Sequence, residues 1–224
     1  MISLLHPSRG RPEKSVNNAY EWVKKAGCEV ELIVSCDNSD PASDRYSDEY
    51  YHFDVVEHEV KHKTFIHLIF NDNTSVVEAT NHAAKIAKGD ILLYLSDDFK
   101  CFDNWGLAVQ KEFEGENRPL LIKVDDCLQK FDVPVLTIPI MNRSLYERLG
   151  YFWHPGYKSM FCDEDLYWTA RKLGALKNCE HLKFEHQHCS VGKAENDETY
   201  RRSAANWDQG KAMFAKRRGE GFPV

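Results

Sequence analysis

At 224 residues, 42% of them apolar, and with a formal net charge of -6, the chain is long enough for one well-filled core, and its acidic balance disfavours a general nucleic-acid binder while leaving room for a local basic groove. Its seven cysteines are scattered without zinc-knuckle spacing, which points to reduced thiols and not to a disulfide framework. No apolar run approaches the ~18 residues of a bilayer span, and the first residues are already strand-like. The expectation is a soluble protein of the cytoplasm, or of the host cytoplasm if phage-encoded, with no transmembrane segment.

In chain order, residues 2 to 5 read as a strand and Pro7 to Pro12 as a turn-rich loop. Pro12 suits the first position of a helix whose Val16, Ala19, Tyr20, Val23 and Ala26 keep helical spacing, and Gly27 suits its stop. Residues 29 to 35 form a second strand. The Ser-, Asp- and Tyr-rich stretch 41 to 53 shows no periodicity and reads as a loop, and Asp54 to Val60 alternates as a third strand. Ser75 and Glu78 make a capping box for a helix buried through Val76, Val77, Ala79, Ala83, Ile86 and Ala87. Leu120 to Val124 and Val133 to Ile138 read as strands, Arg143 to Leu149 and Asp163 to Leu173 as helices stopped by Gly150 and Gly174. Leu182 to Phe184 is a short strand, and 197 to 217 a charged helix or tail.

The run Ile91-Leu92-Leu93-Tyr94-Leu95 is apolar throughout and closes on Ser96-Asp97-Asp98, the pattern of a strand buried on both faces that ends in an acidic turn. In open α/β sheets ligands collect beyond the carboxyl ends of strands, and carboxylates there are hard oxygen ligands for Mg2+ or Mn2+. Such a cation usually holds phosphates. Arg9 and Arg11, in the loop after the first strand, suit an anion.

Together these segments resemble the family 2 glycosyltransferases, whose fold is a single α/β nucleotide-binding domain called GT-A, with a central mixed, mostly parallel sheet. The resemblance runs from Ile2 to about Tyr200 and lies in the order of several motifs. It implies that Pro7, Ser8, Arg9 and Arg11 border the nucleotide and its diphosphate, and that Asp37 and Asn38, at the end of the second strand, contact base or ribose. Asn81 matches an Asn of the family on the helix before the central strand. Ser96-Asp97-Asp98 matches its Asp-x-Asp, with Ser96 in place of the first Asp. Asp98 is then the direct metal ligand, and Ser96 and Asp97 are neighbours of the nucleotide sugar. Phe184 to Gly192 is similar to a late His-x-His loop, from which His186 would be a second ligand. Glu164-Asp165 looks like the Glu-Asp pair that carries the base, which implies Asp165 as base and Glu164 as its helper. Trp153 and His154 lie where the acceptor is expected.

The resemblance implies transfer of a sugar, first from a UDP-sugar, to an acceptor hydroxyl with inversion, dependent on Mn2+ or Mg2+. The acceptor is expected to be a glycan or lipid-linked saccharide ahead of a hydroxymethylated DNA base. The domain is expected over 1-195, with a helical extension over 196-224. A nucleotidyltransferase is the alternative enzyme, although it usually opens with a glycine-rich phosphate loop. A non-catalytic nucleotide-sugar-binding module is the alternative outside enzymes.

Overall fold

The computed structural model describes residues 1-51 and 62-224. Its elements in order are β1 (Ile2–Ser8), α1 (Pro12–Lys25), β2 (Val30–Asp37), α2 (Ser43–Tyr51), β3 (Thr64–Asn71), α3 (Val76–Ile86), β4 (Ile91–Tyr94), β5 (Phe99–Lys100), α4 (Trp105–Phe113), β6 (Leu121–Asp125), β7 (Ile140–Asn142), α5 (Arg143–Leu149), α6 (Cys162–Lys172), β8 (Leu176–Lys183), β9 (Glu185–His186), α7 (Glu198–Ala204) and α8 (Trp207–Gly219). The larger sheet among the described residues has the order β3-β2-β1-β4-β7-β6-β8. Only β7 runs against its neighbours, so the sheet is mixed and mostly parallel.

Alternation along each strand sorts side chains into two cores. Leu4, Val30, Leu32 and Leu93 face α1, α2 and α4, whereas Leu5, Ile33 and Leu92 face α3, α5 and α6. Burial on both faces explains why the central strands read as unbroken apolar runs. The chain passes from β1 to β2 on one side and returns by α3 to β4 on the other. Order therefore reverses between β1 and β4, and a crevice opens beyond their carboxyl ends.

His6 ties these two strands together at that end. Its Nδ1 lies 2.9 Å from the Leu95 carbonyl, which can only accept, so Nδ1 carries the proton and Nε2 accepts from Ser15 Oγ at 2.8 Å. Burial lowers the pKa of His6 and keeps the ring neutral, as this tautomer requires. The start of the acidic turn is thus pinned from β1.

Several expected elements differ from those observed. Residues 43 to 51 form a helix and not a loop: Tyr46 and Tyr50, one turn apart, supply a buried stripe, and Asp40 accepts from the Ala42 amide just before the helix begins. Residues 133 to 138 form a loop; Pro134 cannot donate to a ladder, and the strand that follows is β7, wedged between β4 and β6. The expected strand 54-60 lies outside the described residues, while β3 at Thr64–Asn71 went unread. The strand expected at 182-184 is the end of the longer β8, which pairs with β6. At α3, Ser75 Oγ accepts from the Glu78 amide at 3.2 Å, but the Glu78 carboxylate turns to Thr74 instead of completing the box.

Candidate active site

Two adjoining cavities of about 320 and 300 Å3 fill the crevice, within the range of small-ligand pockets. The first lies at the ends of β1 and β2 against the start of α3, and Asp37 and Ser35 wall it. Ser35 is 1% exposed, and among the described residues its hydroxyl has no hydrogen-bond partner. The second lies at the end of β4 and is walled by Ser96, Asp97, Asp98, Trp153, Asp163 and His186. Pro7, Ser8 and Arg9 border both.

A short ladder joins residues far apart in sequence. β5 pairs with β9 so that Phe99 faces His186, and the Gln187 amide donates to the Asp98 carbonyl at 2.6 Å. This places His186 Nε2 3.2 Å from Asp98 Oδ2, which also accepts from the Tyr200 hydroxyl at 2.8 Å. Asp98 Oδ1 is buried and meets no hydrogen-bond partner among the described residues. Burial works against the charge on Asp98, but His186 and the hydroxyls of Ser96 and Tyr200 outweigh it and hold its pKa well below the usual carboxylate range. His188 borders the second cavity too, edge-on to His186 at 5.0 Å, and its Nδ1 accepts from the Ser190 amide at 3.1 Å to cap the turn there. Asp97 is held by Arg11 Nη1 at 2.8 Å and Lys14 Nζ at 3.3 Å.

The acids at the start of α6 separate by face. Phe161 takes the left-handed conformation, φ 70°, immediately before the helix and packs against Trp207 and Phe214 of the last helix. From this turn Asp163 borders the second cavity. Asp165 points the other way, 1% exposed, and receives Arg217 Nε at 2.9 Å, Arg217 Nη2 at 3.2 Å and the Tyr157 hydroxyl at 3.0 Å. Gly210 permits this packing, because a Cβ there would clash with the Met160 carbonyl oxygen. Burial, joined by the charge of Glu164, pushes the Asp163 carboxyl up to about 6 against the backbone N–H of Glu164. Glu164 itself borders neither cavity, and burial raises its pKa as well.

Other expected residues do different work. Asn81 braces a loop: its amide donates to the Trp153 carbonyl at 2.8 Å, and its oxygen accepts from the amides of Phe152 and Trp153, each at 3.0 Å. It touches neither cavity. Replacing it with Ala leaves those buried backbone groups unpaired, with an expected loss of about 2 kcal/mol in urea unfolding. Trp153 walls the second cavity, edge-on to Tyr94 at 5.5 Å. His154 does not; it accepts from the Gly156 amide and lies beside Tyr151 and Tyr157. Asn38 bonds to Asp72 at the surface. Sequence reasoning passed over Asp163, Ser35 and Tyr200. For Asp163 a signal existed, since Cys162, Leu166, Thr169 and Ala170 mark the buried stripe of α6 to which Asp165 belongs.

Among curated protein sequences none matches the chain. Solved structures with a similar fold include the mannosyltransferase PcManGT from Pyrobaculum calidifontis in complex with GDP-Man and Mn2+, with TM-score 0.63 and 12% identity over 83% of this chain and 56% of that one. S. aureus TarS 1-349 in complex with UDP-GlcNAc gives TM-score 0.53 and 14% identity over 82% and 57%. GalNAc-T7 with UDP, GalNAc and Mn2+ gives 0.61 and 14% over 83% and 43%. The chain therefore spans less than two thirds of each of these proteins, and at such identities the likeness is one of fold, here GT-A. The model of the family described as glycosyl transferase family 2 matches residues 3–201, nearly the whole of this sheet and its crevice, and the chain belongs to that family.

Proposed function

We propose that the chain transfers a glycosyl group from a nucleoside-diphosphate sugar, first a UDP-sugar, to an acceptor hydroxyl with inversion. The observation that carries this reading is that Asp98, bonded to His186, and Asp163 line the same cavity. An unpartnered, ionised Asp98 oxygen beside an imidazole suits Mn2+ or Mg2+, with Asp98 and His186 as the residues that would hold it. Among the described residues no three His, Cys, Asp or Glu side chains are placed together to hold a metal, so a cation at Asp98 and His186 would need ligands from the nucleotide. When bound, the cation would neutralise charge on the departing diphosphate.

This chain's own residues supply the rest. Asp37 and the Ser35 hydroxyl offer polar contacts to nucleoside. Asp163 takes the acceptor's proton as the new bond forms at the anomeric carbon and the bond to the diphosphate breaks. Asp163 replaces Asp165 in that role because Asp165 is already bound on every side by Arg217, Tyr157 and Thr169. A single base and direct attack invert the anomeric centre. Trp153 gives an apolar wall for a saccharide face, and the net charge of -6 favours a glycan over DNA as acceptor. No helix among the described residues is long and apolar enough to cross a membrane, and the seven free thiols suit a reducing compartment such as the cytoplasm.

Thermal melts with a panel of nucleoside diphosphates, each with Mn2+, Mg2+ or chelator, test this reading. One nucleotide is expected to raise the melting temperature most with metal, by the equivalent of about 2.7 kcal/mol at 100 times its dissociation constant. Asp98→Ala is expected to abolish the metal-dependent part. A metal-dependent shift undiminished in Asp98→Ala would move the cation elsewhere.

A further inference from the structure

The arginines that follow β1 are not free to meet a diphosphate. Arg9 is ion-paired with Asp37 and also donates to Ser39. Arg11 donates to Asp97 at 2.8 Å and to both oxygens of Asp197 at 2.7 and 2.6 Å, and Lys14 leans on Asp97 as well. Along this wall each cation is already matched by a carboxylate. A diphosphate that enters needs positive charge from elsewhere, beyond what a cation at Asp98 and His186 would bring.

Two other cations border the first cavity: Lys158, on the loop before α6, and Arg202, on α7. Both are exposed. Among the described residues neither side chain makes a hydrogen bond or an ion pair, and Glu78 attracts Lys158 only at longer range, its carboxylate being bonded to Thr74. Their backbones, by contrast, are fixed. The Lys158 carbonyl accepts from Val77 at the start of α3, Ser159 Oγ donates to the Ser203 carbonyl at 3.1 Å, and Thr199 Oγ1 donates to the Arg9 carbonyl at 3.4 Å. The two free cations thus stand on segments that are tied to each other and to the end of β1, beside the cavity that holds Asp37.

We infer that Lys158 and Arg202 clamp the diphosphate of the nucleotide donor, so that α7 contributes a wall and a charge to the donor site. The inference rests on the nucleotide reading of the crevice. A phosphorylated acceptor would present the same anion, so the test must separate the two.

Calorimetric titration of the protein with UDP, GDP, uridine, guanosine and inorganic pyrophosphate, in chelator and in Mn2+, does so. For the preferred nucleoside diphosphate, Lys158→Gln and Arg202→Gln are each expected to weaken binding about tenfold, and the double variant about a hundredfold. Affinity for the matching nucleoside stays unchanged, and the salt dependence of diphosphate binding becomes shallower. Both side chains are exposed and unpaired, so the melting temperatures of the variants should equal that of the wild type. Unchanged diphosphate affinity in the double variant, or an equal loss for nucleoside and diphosphate, overturns the clamp while leaving the nucleotide reading in place. Wild-type binding of pyrophosphate without any nucleoside diphosphate assigns the cations to another ligand and also overturns it. A wild type that binds none of these probes, nor any other nucleoside diphosphate of the melting panel, brings down the nucleotide reading itself.

Discussion

Asp163→Asn is expected to lower the rate of sugar transfer about a thousandfold while nucleotide binding is retained. The substitution keeps shape but exchanges one carboxylate oxygen for an NH2 and removes the charge, so no basic oxygen is left to take the acceptor's proton. Because burial disfavours the charge on Asp163, the neutral Asn should leave the melting temperature unchanged or slightly higher. The same burial sets a pH signature. A base must be ionised to act, so wild-type turnover should rise with pH through an apparent value near 6 and then level off. An acidic limb near the ordinary carboxylate value would contradict this assignment. So would an Asp165→Asn variant that loses turnover with unchanged stability, because that pattern belongs to a base at Asp165.

The second large effect belongs to Arg217. It is 4% exposed and sends two nitrogens to Asp165, while its third nitrogen donates to the Pro223 carbonyl at 2.6 Å. Arg217→Leu strands a buried carboxylate and is expected to cost about 3 kcal/mol in urea unfolding. The Tyr157 and Thr169 hydroxyls that remain on Asp165 keep the loss toward the lower end for such a pair. Adding Asp165→Asn removes the stranded charge, so the double variant should be more stable than Arg217→Leu alone. Independent, additive losses would mean that the ion pair is not what fastens α8 to α6.

The fold was legible where periodicity and caps are local. Pro12, the Ser75 cap, Gly150 and Gly174 stand at the ends of helices in the places their chemistry predicts. α2 was hidden because its stripe consists of tyrosines among serines and aspartates, and β7 because a strand of three residues has no period to read. In the site, Asp98 and His186 could be named from motifs, but their meeting depends on a ladder between β5 and β9, each of two residues. The Glu164-Asp165 motif names Asp165, but a motif gives residue order and not helical face; α6 buries Asp165 against Arg217 and sets Asp163 at the cavity. Arg9 and Arg11 read as suited to an anion, because nothing in their neighbourhood in sequence announces Asp37, Asp97 or Asp197 as partners.

The most direct measurement supplies the protein with a panel of nucleoside-diphosphate sugars and Mn2+, with water as the only acceptor, and follows release of sugar and nucleoside diphosphate. Slow turnover of one donor to nucleoside diphosphate and a sugar of inverted anomeric configuration is expected, lost with chelator, in Asp98→Ala and in Asp163→Asn. Pyrophosphate released from a nucleoside triphosphate in the presence of a sugar phosphate, with every donor sugar left intact, would contradict it and make the crevice a nucleotidyl-transfer site.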